Sequence, residues 1–224
     1  MNAVVVTGTD TDVGKTVFSA GLCAQLKASY WKPVQAGLDG ETDSEVVARL
    51  SGCTILPEVY RLRRPASPHL AAQSEGIRIV PQALSLPRCR TPVVIETAGG
   101  LMAPLNRQML YLDMIDRWGQ PLILCARTRL GTINHTLLSL MALRSRGCRI
   151  LGVVFIGDAE PEVESSILEM GGVTGLGRLP FLAELDAKSL SAAMERLDLD
   201  PVRAVFDQSC NRVDEKNETF RSES

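Results

Sequence analysis

Nine residues, Gly8-Thr9-Asp10-Thr11-Asp12-Val13-Gly14-Lys15-Thr16, follow an apolar run at positions 3–6 and open a segment with helical spacing at Phe18, Leu22 and Leu26. No other stretch constrains the fold as tightly. Strand, glycine loop and helix in that order form a phosphate cradle: glycines let backbone N–H groups close around phosphate oxygens, and the helix N-terminus adds a favourable dipole. Lys15 then reaches the β and γ phosphates, and Thr16 offers a hydroxyl to magnesium. Five residues rather than the usual four separate Gly8 from Gly14. A structural turn of the same composition is the alternative, and Gly-Lys-Thr at a strand-to-helix junction argues against it.

Such a loop is presented by a parallel sheet, and the rest of the chain supplies the strands. Aliphatic and β-branched runs recur at 92–95, 122–126 and 150–156, alternating with helically spaced segments at 109–118 and 133–143. This alternation predicts an α/β fold, a P-loop NTPase-like three-layer sandwich with a mainly parallel central sheet. Strands that are apolar throughout predict helices on both faces. Thr42 and Glu45 have capping-box spacing ahead of Val46, Val47 and Leu50, with Gly52 as the stop. Gly119, Gly147 and Gly171 each follow a helical run, where a left-handed cap favours glycine, and Pro161 suits a first turn. The chain has 224 residues. One domain over 1–210 accounts for these elements, and the polar, aperiodic stretch 211–224 reads as a frayed tail.

Composition removes several function classes. A formal net charge of -2 gives no global drive toward nucleic acid. The six cysteines, Cys23, Cys53, Cys89, Cys125, Cys148 and Cys210, are widely scattered, and only His69 and His135 could share a metal with them. That pattern disfavours zinc and disulfide frameworks. The first residues lack a basic region and a cleavage site, and no apolar stretch approaches the roughly 18 residues of a membrane span. The expectation is a reduced, cytoplasmic protein without nucleic-acid or membrane partners.

Three further residues carry chemistry. Glu96 closes the run 92–95 and precedes Thr97-Ala98-Gly99-Gly100, whose small residues allow close approach to a ligand. A carboxylate there suits magnesium, with capping of the next turn as the structural alternative. Asp43, at the start of the capped helix, either holds magnesium or opposes the helix dipole. Lys32, in Trp31-Lys32-Pro33-Val34-Gln35-Ala36-Gly37, sits near a strand end on the side where clefts of open α/β sheets form. A snorkelling surface lysine is its bland reading.

Taken together these residues resemble the dethiobiotin synthetases. The likeness spans most of the chain: the loop 8–16, Lys32-Pro33-Val34-Gln35, Asp43, Ser67-Pro68-His69, Glu96 with Ala98-Gly99-Gly100, Leu130-Gly131-Thr132-Ile133-Asn134-His135, and Gly177-Arg178-Leu179-Pro180. The longer loop is that family's own variant. The resemblance implies ATP- and magnesium-dependent closure of 7,8-diaminononanoate with carbon dioxide to dethiobiotin. It passes through a carbamate and a carbamic-phosphoric anhydride. Carried over by position, Lys15 and Lys32 stabilise carbamate and phosphoryl charge, and Thr11 contacts the carbamate. Thr16, Asp43 and Glu96 hold magnesium. Asp12, Val13, Gly14, Val17, Thr97, Ala98 and Gly99 join them around the nucleotide, and Pro180, Phe181 and Leu182 lie on its base side. Ala36 borders the substrate. Gly131, Thr132, Ile133 and Asn134 receive its carboxylate across a homodimer interface. His135 is assigned a structural role and His69 a place in the site wall.

The chain departs from the family pattern at three places. Ala36 stands where a hydroxyl residue is frequent, so one substrate hydrogen bond is absent or supplied by backbone. Thr97 replaces a glycine, and an adenine-reading asparagine is missing from Phe155-Ile156-Gly157-Asp158. Two rivals share the scaffold. Cobyrinate-type amidotransferases need a glutaminase domain for which the chain has no room. Partner-stimulated partitioning ATPases carry an additional lysine early in the loop, and positions 8–13 contain none.

Overall fold

A computed structural model describes residues 2–207, so the tail expected at 211–224 lies outside the described residues. Six strands form one parallel sheet: β1 (Ala3–Gly8), β2 (Ser29–Trp31), β5 (Val93–Gly100), β8 (Leu122–Arg127), β9 (Ile150–Ile156) and β10 (Gly175–Leu179). Their order is β10-β9-β8-β1-β5-β2, which puts the glycine loop after β1 near the middle of the sheet. Two small pairs lie outside it. β3 (Val34–Ala36) runs parallel to β4 (Tyr60–Leu62), and β6 (Pro104–Asn106) is antiparallel to β7 (Met109–Leu110).

Alternation along β1 shows why the strands are apolar on both sides. Val4 and Val6 face one core with Phe18 and Leu22 of α1 (Lys15–Leu26), Val47 of α2 (Asp43–Ser51) and Met194 of α7 (Ala187–Met194). Ala3 and Val5 face the other. That core contains Ala71 of α3 (Pro68–Ser74), Met114 of α4 (Tyr111–Trp118), Leu140 of α5 (Thr132–Ser145) and Ile167 of α6 (Pro161–Gly171). Each face of the sheet thus buries its own apolar layer, which supplies most of the driving force for folding. Residues 200–207 are helical, and the Asn2 side chain donates to the Phe206 carbonyl at 3.0 Å, tying both ends of the described chain together. Among the described residues no helix is long and apolar enough to cross a membrane.

Several local expectations need adjustment. The run 92–95 extends through Glu96 to Gly100, because Gly8 of β1 still pairs with Gly100. Glu96 therefore lies inside a strand rather than beyond its end. α4 begins at Tyr111 rather than at position 109, since Met109 and Leu110 pair with β6, and the Asp113 carboxylate accepts from the Leu110 N–H at 2.9 Å. The left-handed cap of α6 is Gly172, with φ 51°, and not Gly171. Gly171 is the last helical residue and serves packing: a Cβ there would lie 2.8 Å from Leu140 Cδ1 on α5. The capping box of α2 and the left-handed Gly52 after it are as expected.

Candidate active site

The loop 8–14 turns between the carboxyl end of β1 and the first residue of α1. Its two ends are glycines for separate reasons. A Cβ on Gly8 would lie 2.7 Å from Val13 Cγ2, and Gly14 has φ 94° with Ile156 Cγ2 2.8 Å from where a Cβ would stand. Gly14 caps α1 without a side-chain hydrogen bond, leaving first-turn amides free for an anion. Asp10 pins the loop: one carboxylate oxygen accepts from the Thr11 N–H at 2.8 Å, and the other accepts from Arg127 Nη2 at 2.8 Å.

Lys15 projects from the start of α1 and curls back, its ammonium donating to the Asp10 carbonyl at 2.8 Å. It is 6% exposed and forms no ion pair among the described residues. Burial therefore lowers its pKa, with the charge of Glu96 opposing. A desolvated cation at an uncapped helix N-terminus is a strong attractor for phosphate.

The second group of charges is knit more tightly. The Thr16 hydroxyl lies 2.6 Å from Asp43 Oδ1 and 2.9 Å from Glu96 Oε1, its one proton shared between two carboxylates. Lys32 Nζ bridges the same pair, donating to Asp43 Oδ2 and, at 3.1 Å, to Glu96 Oε1. Glu96 is fully buried and Lys32 is 5% exposed. Burial alone would lower the lysine's pKa, but Glu96 and Asp43 outweigh it and hold the ammonium well above its usual range. Burial likewise opposes ionisation of Asp43, and the charge of Lys32, with hydrogen bonds from Lys32 and Thr16, keeps that carboxyl below its usual value. Tyr30 completes the cluster by donating to Glu96 Oε2 at 3.0 Å.

Lys15, Thr16, Lys32, Asp43 and Glu96 line one cleft of about 940 Å³, open at the carboxyl ends of β1, β2 and β5. Its lining also includes Ser67 and Pro68, the small residues Ala98, Gly99 and Gly100, and Leu138, Ser139 and Ala142 of α5. Three hard oxygen donors, from one hydroxyl and two carboxylates, converge beside a phosphate loop, and that donor set suits Mg²⁺.

The AAA domain family model matches residues 2–189. The ATP-dependent dethiobiotin synthetase BioD of Rhodopseudomonas palustris (strain BisB18) is 60% identical over 195 residues, covering 86% of this chain and 93% of its own. The chain belongs to the dethiobiotin synthetase family. Other members include the synthetases of Nitrobacter hamburgensis, 57% identical over 85% of this chain and 91% of theirs, and Bradyrhizobium diazoefficiens, 57% identical over 86% and 93%. A ParA family ATPase from Chlorobium tepidum superposes with a TM-score of 0.55 at 10% identity, over 91% of this chain and 97% of its own. The MinD cell division ATPase of Pyrococcus furiosus gives 0.52 at 13%, over 88% and 98%. At such identities the likeness is one of fold alone.

In this dethiobiotin synthetase family member Thr11, Asp12, Lys15, Thr16, Lys32, Ala36, Asp43, Glu96, Ala98 and Gly99 share the cleft. Thr9, Asp10, Ser67, Pro68 and Gly100 line it too, whereas His69, expected in its wall, lines a separate cavity with Gln73 and Asn106, and the remaining residues singled out in the sequence lie elsewhere. Val13 is buried under the loop, and Val17 is half-buried on α1. Thr97 is fully buried and donates to the Thr7 hydroxyl at 3.0 Å, so its side chain stitches β5 to β1. Pro180, Phe181 and Leu182 follow β10. The Phe181 ring edge would lie 3.4 Å from a Cβ on Gly157, and Thr128 Oγ1 2.7 Å from it, on the flank formed by β8, β9 and β10. Gly131 caps α5 with φ 91°, and Thr132, Ile133 and Asn134 form its first turn. None of these four lines the chain's own cleft. Sequence reasoning passed over Tyr30 and Arg127. Their only signal was a polar group within or at the end of an otherwise apolar strand.

Proposed function

We propose that the chain is an ATP-dependent cyclo-ligase that joins 7,8-diaminononanoate and carbon dioxide to form dethiobiotin in biotin biosynthesis. The observation that carries this reading is the meeting of two buried lysines, Lys15 and Lys32, with Thr16, Asp43 and Glu96 in one cleft beside the phosphate loop. One amine of the diamine attacks carbon dioxide and loses a proton to become a carbamate. A carbamate oxygen takes the γ-phosphoryl group from ATP, releasing ADP. The second amine then attacks the carbamoyl carbon, expels phosphate and closes the ureido ring.

Negative charge builds on the carbamate and on the transferring phosphoryl group, and fixed cations lower that barrier without reorganising. Lys32 sits where it can serve both. Lys15 serves the phosphates, and Thr11, whose hydroxyl would lie 3.5 Å from a Cβ on Gly99, orients the carbamate across the cleft. Thr16, Asp43 and Glu96 would hold Mg²⁺, which supplies charge neutralisation at the phosphates when bound. Pro180, Phe181 and Leu182 would border the base.

The active assembly is a homodimer. Met102 and Leu138, at 57% and 55% exposed, border the cleft, and Met141 on the same helix is 66% exposed. An apolar rim of this kind favours cover by a second copy. The α5 first turn, Gly131 to Asn134, is absent from its own chain's cleft, as a residue set serving the partner's substrate carboxylate would be. Five free cysteines among the described residues suit a cytoplasmic setting.

The test is purified protein with ATP, magnesium, bicarbonate and the diamine, scored by mass for the cyclic urea. Product that depends on all four supports the assignment. ATP hydrolysis stimulated by protein or DNA, without cyclic urea, would replace it with a partitioning-type switch.

A further inference from the structure

We infer that Tyr30 is a positioning residue for the carboxylate of Glu96: its hydroxyl commits one oxygen to the protein, so that the other is presented to Thr16 and Lys32. The inference rests on the reading of Thr16, Asp43 and Glu96 as the magnesium site.

The contacts divide the carboxylate cleanly. Tyr30 Oη donates to Oε2 at 3.0 Å, whereas Oε1 lies 2.9 Å from Thr16 Oγ1 and 3.1 Å from Lys32 Nζ. Both Tyr30 and Glu96 are fully buried. An ionised carboxylate away from water needs donors on both oxygens, and a phenol provides one throughout the neutral range. Among the described residues Tyr30 is the donor for Oε2. A carboxylate relieved of it would satisfy Oε2 by turning toward Thr16 or Lys32, withdrawing Oε1 from its place.

Tyr30 is itself held from every side. It pairs with Val94 in the sheet, its N–H donates to the Thr54 carbonyl at 2.9 Å, and its carbonyl accepts from the Leu56 N–H at 2.8 Å. The ring packs in the core beneath α1 and α2. Its hydroxyl is therefore a fixed point built from the backbone of three segments. Val94 lies two positions before Glu96 on β5, so the same strand pairing sets tyrosine and carboxylate in register.

Outer hydrogen bonds of this type typically govern metal affinity by 10- to 100-fold. The test measures binding of Mn²⁺ by electron paramagnetic resonance in the presence of saturating ADP, with ADP binding in EDTA as the control. Tyr30→Phe is expected to raise the Mn²⁺ dissociation constant about tenfold and leave metal-free ADP affinity unchanged. In a Glu96→Gln background the same substitution should add nothing. Unchanged Mn²⁺ binding in Tyr30→Phe, with weakened binding in Glu96→Gln, would overturn the role of Tyr30 alone. Unchanged binding in Glu96→Gln would overturn the metal-site reading beneath it. An equal loss of metal and ADP affinity would reduce the hydroxyl to general support and also sink the inference. If Tyr30→Phe folds only together with Glu96→Gln, the hydroxyl acts through the carboxylate as inferred. Equal instability in both backgrounds would refute it.

Discussion

At the scale of single residues, the Lys32–Asp43–Glu96 cluster makes stability and the proposed chemistry answer to the same ammonium. Lys32→Met keeps the volume but leaves two carboxylates facing each other without their cation. Breaking a buried pair in this way costs about 2–3 kcal/mol, reduced from the usual figure because the Asp43 side chain is 29% exposed. Denaturant unfolding in magnesium-free buffer should show that loss, while turnover falls about 10²–10³-fold. Retained turnover would free Lys32 from the chemistry. The cluster also fixes a pH signature. Asp43 is held below its ordinary carboxyl value, so its contribution is full above that value and fades as pH falls through the lowered one. Lys32 is held above its ordinary value, so its contribution persists below that value and fades as pH rises through the raised one. In the absence of magnesium, the acid limb of a stability profile should therefore be steeper in the native chain than in Asp43→Asn. Coincident acid limbs would show that the ion pair does not govern it.

At the scale of elements, α5 and α6 are joined through Gly171, whose lack of a side chain lets Leu140 approach, and through Arg144, which donates to the carbonyls of Gly171 and Gly172. Gly171→Val should destabilise the fold by about 1–3 kcal/mol without changing metal-free nucleotide affinity, as thermal unfolding and ADP titration would report. An unaltered melting temperature would mean that α6 shifts freely. This pair also shows what the sequence could and could not convey. Glycine after a helical run was legible, but choosing between adjacent glycines required knowing which one meets Leu140. The long strands β1, β8 and β9 were legible because both their faces are apolar. β2 has three residues and begins with serine, while β6 and β7 pair over a few positions, so neither carries enough periodicity to declare itself. For the cleft, Lys15 and Thr16 announced themselves through the loop and Glu96 through its place after an apolar run, whereas Asp43 stayed ambiguous by spacing and, like Lys32, took its role from the family resemblance. Tyr30 and Arg127 were passed over. Their partners lie 66 and 117 positions away, and strand register rather than local pattern brings them together.

At the scale of the whole molecule, the apolar rim of the cleft ties the proposed assembly to the proposed reaction. Leu138→Asp, on the exposed face of α5, should shift the protein toward monomer in sedimentation and raise the KM for the diamine more than that for ATP. A monomer with undiminished diamine affinity would place the complete site within one chain. The central position of β1 has a further consequence for how the protein comes into being. Ala3 pairs with Val93, and Val5 with Leu122. β1 therefore finds no neighbour in the sheet until β5 has been made. Pairings this distant are slow to form and leave an adhesive segment exposed in the interim. The loop after β1 therefore settles only once β5 has emerged, and a chaperone that shields β1 in that interval would protect the segment proposed to hold the phosphates.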